Sequence, residues 1–321
     1  MRFLFVIFVA LVAATAEAYA ACESEGVAPD PDDRPLALHI WVPDPLCGKT
    51  GAQRGPYPLV VMSHGTCGSS LGHADTAFAL ADAGFVVAAV MHTGDNYTDQ
   101  SYVGRGLHLI GRPRHISRVI DYMLNSWSQH TAVDPARIGV FGHSAGGFTA
   151  LVVAGGEPDM TLGGKRCHDR PRSWECRYVR EHGLDTDKRP ALPYMSWVHD
   201  ARVKAIAIAA PCCGWSFEPH GLANVHVPVQ LWIAEHDTIV DDSPLIVKRL
   251  LPQEPEAHVV KNAGHLSFLT PCSFPINAVA TVRSWFGELN ICGDPPGLDR
   301  RVFHTEFNAA VIRFFTEKLP K

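Results

Sequence analysis

The chain has 321 residues, of which 46% are hydrophobic and 19% are charged, and its formal net charge at pH 7 is −5. These fractions are those of ordinary globular proteins, which excludes a disordered chain and a protein with many membrane spans. The acidic net charge gives no support for nucleic-acid binding, because such proteins concentrate Lys and Arg on one surface.

The first 20 residues are typical of a secretory signal peptide. Arg2 gives a positive start, residues 3–16 are almost unbroken apolar, and Ala18-Tyr19-Ala20 fits a small-x-small cleavage site. A membrane anchor is one alternative, but about 14 apolar residues fall short of the ~20 that cross a bilayer. Cleavage with lipid attachment at Cys22 is another. We therefore predict an exported protein, periplasmic or secreted, without a stable membrane span.

Strand and helix patterns then alternate along the chain. Residues 36–42 alternate in polarity and end at a proline, which favours an edge strand. Continuous apolar runs predict buried parallel strands at 58–62, 85–90, 138–141, 203–209, 229–234 and 258–260. Helices are predicted at 74–83, 116–127, 147–153 and 244–251.

This alternation favours an α/β fold, with a mainly parallel sheet and helices on both faces. We expect residues 21–321 to form one domain, because α/β folds of this length often have one core. Binding and catalytic sites in such sheets lie beyond the carboxyl ends of the strands. The loops that follow the predicted strands are therefore where catalytic residues are expected.

Residues 155–200 interrupt the alternation, since they are dense in Pro, Arg and aromatic residues and have no clear period. Long irregular segments inside a domain are usually functional lids or loops, so we expect a cap over the site. A solvated surface excursion is the alternative. The aromatic and basic residues of this segment could bind an anionic or aromatic substrate. They could equally form a solvated face, because nearby acidic residues offset the positive charge.

Nine cysteines in an exported chain predict disulfides, and the odd number leaves at least one cysteine unpaired. The expected pairs are Cys167 with Cys176, which bracket an Arg-rich loop, and Cys272 with Cys292, which bracket a predicted helix. Neither the cysteine spacings nor the scattered histidines match a metal site. No metal is predicted.

The strongest motif is Gly142-His143-Ser144-Ala145-Gly146, between a predicted strand and a predicted helix. This pattern is the nucleophile elbow of α/β-hydrolases. The sharp turn forces the serine into a strained backbone conformation, and the two glycines remove side chains that would clash there. Ser144 is therefore the predicted nucleophile.

A serine nucleophile requires a general base and an acid that orients the base. In this fold they follow the serine in the order acid, histidine, on loops after late strands. Asp237 follows the strand predicted at 229–234, and His265 follows the strand predicted at 258–260. We predict Asp237 as the acid and His265 as the base. The alternative acids are Glu235, Asp241 and Asp242.

Attack on an ester produces an oxyanion that backbone N–H groups must stabilise. The predicted donors are the N–H of Ala145, just after the nucleophile, and the N–H of Thr66. Thr66 belongs to the segment Ser63-His64-Gly65-Thr66, which follows the strand predicted at 58–62. An ordinary turn at the end of this strand is the alternative interpretation.

Residues 61–66, 134–147, 263–272 and 294–300 share a pattern with one group of hydrolases. Through them the chain resembles bacterial exported α/β-hydrolases described as predicted dienelactone hydrolases, related to the platelet-activating-factor acetylhydrolases. The resemblance covers most of the mature chain and implies hydrolysis of esters, with short acyl chains as one possibility. True dienelactone hydrolases, however, use a cysteine in place of Ser144. The acetylhydrolases take their acid from the strand after the elbow helix, which here ends in Ala209-Ala210-Pro211.

The sequence thus predicts a serine esterase that forms an acyl-enzyme with a small-molecule ester through Ser144, His265 and Asp237. It predicts neither a metal nor an organic cofactor, and it leaves the oligomeric state open. An amidase or peptidase with the same triad is the first alternative, because fold does not determine substrate. A non-catalytic binding protein is the second.

Overall fold

The computed structural model describes residues 21–48, 55–103, 107–181, 197–273, 276–277, 280–281 and 290–321. Its centre is an eight-stranded mixed sheet in the spatial order β1-β2-β4-β3-β5-β6-β7-β8. The strands are β1 (Cys22–Ala28), β2 (Leu36–Val42), β3 (Tyr57–Ser63), β4 (Val86–Val90), β5 (Val133–His143), β6 (Val203–Ala209), β7 (Val229–Ala234) and β8 (Glu256–Val260). The first two strands pair antiparallel and the last six are parallel to one another.

Helices cover both faces of this sheet, as the sequence predicts. They are α1 (Ala74–Asp82), α2 (Leu107–Asn125), α3 (Ala145–Val153), α4 (Leu162–Asp169), α5 (Trp174–Glu181), α6 (Ser243–Leu250) and α7 (Arg300–Lys318). One apolar core forms between the sheet and α2, α3 and α6, and a second forms between the opposite face and α1 and α7. Strands buried on both faces need apolar residues at every position, which explains their continuous apolar runs.

Several elements differ from the sequence predictions. Strand β2 is not an edge strand, because β1 pairs with it along its whole length. Strand β1 was not predicted, since its sequence CESEGVA lacks apolar alternation. Helix α2 begins nine residues before the predicted start, and Pro113, which favours a helix end, lies inside it. Residues 155–200 contain α4 and α5, although residues 182–196 lie outside the described residues. Helix α7 was not predicted.

Three disulfides are present, and they include both predicted pairs. These pairs are Cys167–Cys176 and Cys272–Cys292, and the third is Cys22–Cys47. The thiol of Cys22 is thus used in a disulfide, which contradicts its lipid attachment. Disulfides are compatible with export, but the predicted signal peptide lies outside the described residues. No helix in the described ranges has the length and apolar character to cross a membrane.

The parallel strands place four loops at one edge of the sheet. Strands β3, β5, β7 and β8 all end there, and the loops that follow them carry Thr66, Ser144, Asp237 and His265 respectively. Parallel strands present their carboxyl ends on the same side, so residues far apart in sequence meet at this edge. The fold therefore gathers the predicted catalytic residues.

Candidate active site

The turn from β5 into α3 holds Ser144 in a strained conformation, with φ 56° and ψ −117°. A Cβ at Gly142 would lie 2.1 Å from the carbonyl oxygen of Gly146, and a Cβ at Gly146 would lie 1.9 Å from that of Ser63. Both glycines are therefore required by close backbone approach. The Ser144 N–H donates to the Ala209 carbonyl at 2.9 Å, which helps to hold the strained residue.

His265 and Asp237 form a buried pair beside this turn. The Nδ1 of His265 lies 2.8 Å from Oδ2 of Asp237, and the other carboxylate oxygen accepts the N–H groups of Ile239 and Val240 at 2.9 and 3.0 Å. Burial acts to raise the pKa of Asp237, but the charge and hydrogen bonds of these partners outweigh it, so that pKa lies below its usual value of 3.8. Asp237 is therefore anionic, and it favours the His265 tautomer with hydrogen on Nδ1.

The alternative acids have other partners in the structure. Glu235 accepts a hydrogen bond from the N–H of Asn262 at 2.9 Å. Asp241 and Asp242 form ion pairs with Arg170 at 3.0 and 3.1 Å. The contact with His265 thus belongs to Asp237, the predicted acid.

His143, next to the nucleophile, ties the His265 loop to the elbow. Its Nε2 donates to the His265 carbonyl at 3.0 Å, and the two imidazole rings lie 4.8 Å apart. Burial lowers the pKa of His143 well below its usual value, so the ring is neutral. Among the described residues the Ser144 hydroxyl makes no hydrogen bond to His265, and such bonds are often long before substrate binds. The sequence motif gave no signal for the contact between His143 and the His265 loop, because the position of His143 in G-x-S-x-G accepts any residue.

The loop that carries Thr66 packs directly on the nucleophile. A Cβ at Gly65 would lie 3.2 Å from the Ser144 Cβ and 3.4 Å from the His143 ring, so a side chain there would push the loop and its neighbours apart by a few tenths of an ångström. In the described part of the chain no group accepts a hydrogen bond from the N–H of Thr66 or of Ala145. Neither predicted oxyanion donor is thus used by another group of the described structure.

A buried ion pair that the sequence analysis missed holds this loop. Arg112 and Asp95 are both fully buried and pair at 2.8 Å. The Arg112 guanidinium also donates to the carbonyls of His64 and Gly65 at 2.6 and 3.1 Å, while Asp95 accepts the N–H of Cys67 at 2.7 Å. A guanidinium fork is suited to such bidentate contacts. The sequence carried no signal for this role, because Arg112 lies among other polar residues of α2, including Arg114 and His115.

Helix α5 of the predicted cap reaches the same loop. The Tyr178 hydroxyl on this helix lies close enough to the Cys67 thiol, just after Thr66, to affect its pKa. Arg166 on α4 pairs with Glu175 on α5 at 2.9 Å and with Asp242 at 3.1 Å. The basic residues of this segment are thus partly neutralised by acids, and the segment contacts both the Thr66 loop and the loop after Asp237.

A chain of buried histidines lies behind the Thr66 loop. In the described ranges no group of three His, Cys, Asp or Glu side chains is arranged to hold a metal ion. The Nδ1 atoms of His92 and His115 lie 3.0 Å apart, and the N–H of His92 donates to His64 at 3.2 Å. Burial and nearby arginines lower the pKa values of His64 and His115 to about 3. These rings are therefore neutral near pH 7.

Comparisons with known proteins agree with this architecture. The model of the prolyl oligopeptidase family matches residues 73–160, a segment that contains the elbow. No curated protein matches the sequence. A ferulic acid esterase from Streptomyces cinnamoneus superposes with a TM-score of 0.60 at 20% identity, over 96% of this chain and 92% of that chain. A dienelactone hydrolase from Anabaena variabilis gives 0.51 at 16% identity, over 83% and 97%. These likenesses confirm the predicted α/β-hydrolase fold.

Proposed function

We propose that this protein, with its α/β-hydrolase fold, is a serine hydrolase that cleaves carboxylic esters of short acyl chains. The observation that carries the proposal is the buried His265–Asp237 contact of 2.8 Å, held beside a serine with φ 56°. Strained backbone at a serine, with a neighbouring histidine oriented by a buried acid, is the arrangement that activates a hydroxyl. The esterase and hydrolase neighbours are compatible with it.

Catalysis begins when His265 takes the proton from Ser144 as its oxygen attacks the ester carbonyl. Asp237 remains ionised and stabilises the imidazolium, while the N–H groups of Thr66 and Ala145 bind the oxyanion. Loss of the alcohol leaves an acyl-enzyme on Ser144. Water activated by His265 then releases the acid product. Every step uses side chains and backbone groups of the chain itself.

Residues 155–200 act as a cap in this proposal. The contact of Tyr178 with Cys67 and the ion pair of Arg166 with Asp242 support it, because they join the segment to two loops of the site. We also propose that residues 1–20 direct export, in keeping with the three disulfides.

Peptide or amide hydrolysis is the second candidate, favoured by the match to the prolyl oligopeptidase family over residues 73–160. The same triad cleaves amides and esters, and the pocket decides between them. The test is to compare p-nitrophenyl esters of increasing acyl length with p-nitroanilides of short peptides. Ester hydrolysis that falls as the acyl chain lengthens supports the proposal. A higher kcat/KM on anilides would favour the peptidase, and hydrolysis of neither would contradict both.

A further inference from the structure

Two adjacent cysteines, Cys212 and Cys213, follow β6 beside the nucleophile elbow. Their sulfur atoms lie 2.9 Å apart, although neither belongs to the three disulfides. Nonbonded heavy atoms rest at about 3.5–4.0 Å, so two separate thiols are crowded at this distance. A disulfide requires a further approach of only about 0.9 Å. We propose that Cys212 and Cys213 form a fourth disulfide between neighbouring residues.

The backbone of this turn brings the two side chains to the same side. Consecutive residues of an extended chain point in opposite directions, but Cys213 has a left-handed φ of 58°. Its carbonyl accepts the Ser216 hydroxyl at 2.6 Å, and the N–H of Gly214 donates to the Ser243 hydroxyl at 2.6 Å. The conformation that juxtaposes the sulfurs is therefore fixed by neighbouring hydrogen bonds.

The exchange reaction can proceed from Cys212. It is half-buried whereas Cys213 is buried, so its thiolate reaches an external disulfide such as oxidised glutathione first. That attack forms a mixed disulfide on Cys212 and releases one thiol. The Cys213 sulfur then attacks the Cys212 sulfur and releases a second thiol. The two cysteines lose two protons and two electrons, and the electrons reduce the external disulfide to two thiols.

Cys67, the other free cysteine, is a poor competitor for this reaction. Burial raises the pKa of its thiol to about 11, and nearby charge from Asp95 acts in the same direction. Little thiolate of Cys67 exists at neutral pH, and the thiolate is the species that reacts. The hydrogen bond to Cys212 and burial also raise the pKa of the Cys213 thiol, but its sulfur lies 2.9 Å from the Cys212 sulfur that it attacks, whereas Cys67 must meet an external disulfide. We therefore expect Cys67 to be the single unpaired cysteine of the nine, whose odd number requires one.

The bridge would stiffen the segment that supports the elbow. The N–H of Cys212 donates to the Ser144 carbonyl at 3.1 Å. Pro211 packs so closely on α3 that a Cβ at Gly147 would lie 2.9 Å from its ring. A disulfide between Cys212 and Cys213 would thus restrict Cys212, whose N–H helps to hold the strained nucleophile in place. The disulfide itself is independent of whether the protein hydrolyses esters.

Peptide mass mapping tests the proposal without any activity assay. The purified full chain is incubated with oxidised glutathione, alkylated without reduction and digested with trypsin. The cysteines at 212 and 213 are the only two in the tryptic peptide 205–248, and Cys67 is the only one in peptide 55–105. We expect peptide 205–248 to appear alone, unalkylated and two hydrogen atoms lighter than the dithiol, and to gain two alkyl groups after reduction.

Two results would overturn the proposal: alkylation of both cysteines without reduction, or a disulfide that joins peptide 205–248 to another peptide. Two variants serve as controls. Cys67→Ser should leave the lighter peptide unchanged. Cys213→Ser should abolish the lighter peptide. The remaining thiol at Cys212 should then be alkylated or carry a glutathione adduct, a covalent change that altered stability alone would not produce.

Discussion

Arg112 lies outside the predicted triad, yet the geometry makes it the residue that positions the Thr66 N–H. Its guanidinium joins Asp95 to the carbonyls of His64 and Gly65. In Arg112→Lys a single ammonium keeps the positive charge but cannot reproduce the fork. We therefore expect the loop to lose its fixed position while the buried Asp95 keeps a cationic partner.

The magnitude follows from the hydrogen bonds that the lysine cannot make. Hydrogen bonds to charged groups contribute about 1.5–3 kcal/mol each, so the loss of one or two of them should lower the free energy of unfolding by about 1.5–6 kcal/mol. Complete loss of one oxyanion donor costs about 10²–10³ in kcat. Because the N–H of Cys67 still bonds to Asp95, the loop is only partly released. We expect kcat to fall about 10–100-fold, with little change in KM, because the donor acts mainly in the transition state.

The assay is steady-state hydrolysis of p-nitrophenyl acetate, with the free energy of unfolding measured by urea titration. Arg114→Lys is the matched control, because Arg114 lies on the same helix and forms a similar two-atom contact with Asp30 at 3.1 and 3.0 Å without touching the loop. It should lower stability and leave kcat within about twofold. Equal kcat for the two folded variants would refute the positioning role of Arg112.

Three further predictions concern the acid, the elbow and pH. Asp237→Asn removes the anionic partner of His265 and should lower kcat about 10³–10⁴-fold in a folded protein; a loss below tenfold would contradict the assignment. Gly146→Ala places a Cβ 1.9 Å from the Ser63 carbonyl, so urea titration should show a loss of at least about 3 kcal/mol, and wild-type stability would be the contrary result. The free energy of unfolding should be highest above pH 6.5. It should fall by about 1 kcal/mol per pH unit for each buried histidine down to about pH 4, because the unfolded chain binds protons that the folded chain does not. A flat profile between pH 7 and 5 would contradict this prediction. These histidines, with folded pKa values of about 3 to 4 against 6.5, include His64, His73 and His115.

The sequence predicted most of the parallel sheet because strands buried on both faces have unmistakable apolar runs. Strands β6 and β7 begin and end where the runs do. Strand β1 was missed since only one of its seven residues is buried, so its sequence carries little apolar signal. Helix α2 was predicted too short because the apolar spacing that predicts it begins at Ile116, whereas in the structure the helix also includes residues 107–115 and accommodates Pro113.

The predicted site residues all lie at one edge of the sheet. They could be predicted because serine, acid and histidine follow in a fixed order, each on the loop after a parallel strand. What supports them could not be predicted in the same way. The contacts of His143 and Arg112 join segments more than 45 residues apart, and no local pattern marks such pairs. The sequence therefore indicates which groups react but not which groups hold them.

Covalent labelling with a fluorophosphonate tests the central claim most directly. The tryptic peptide 138–165 contains Ser144 as its only serine, so the adduct can be placed by mass mapping. We predict one adduct, on Ser144, formed in parallel with loss of ester hydrolysis, and no adduct or hydrolysis in Ser144→Ala or His265→Ala. An adduct on another residue, or hydrolysis that persists in Ser144→Ala, would contradict the account.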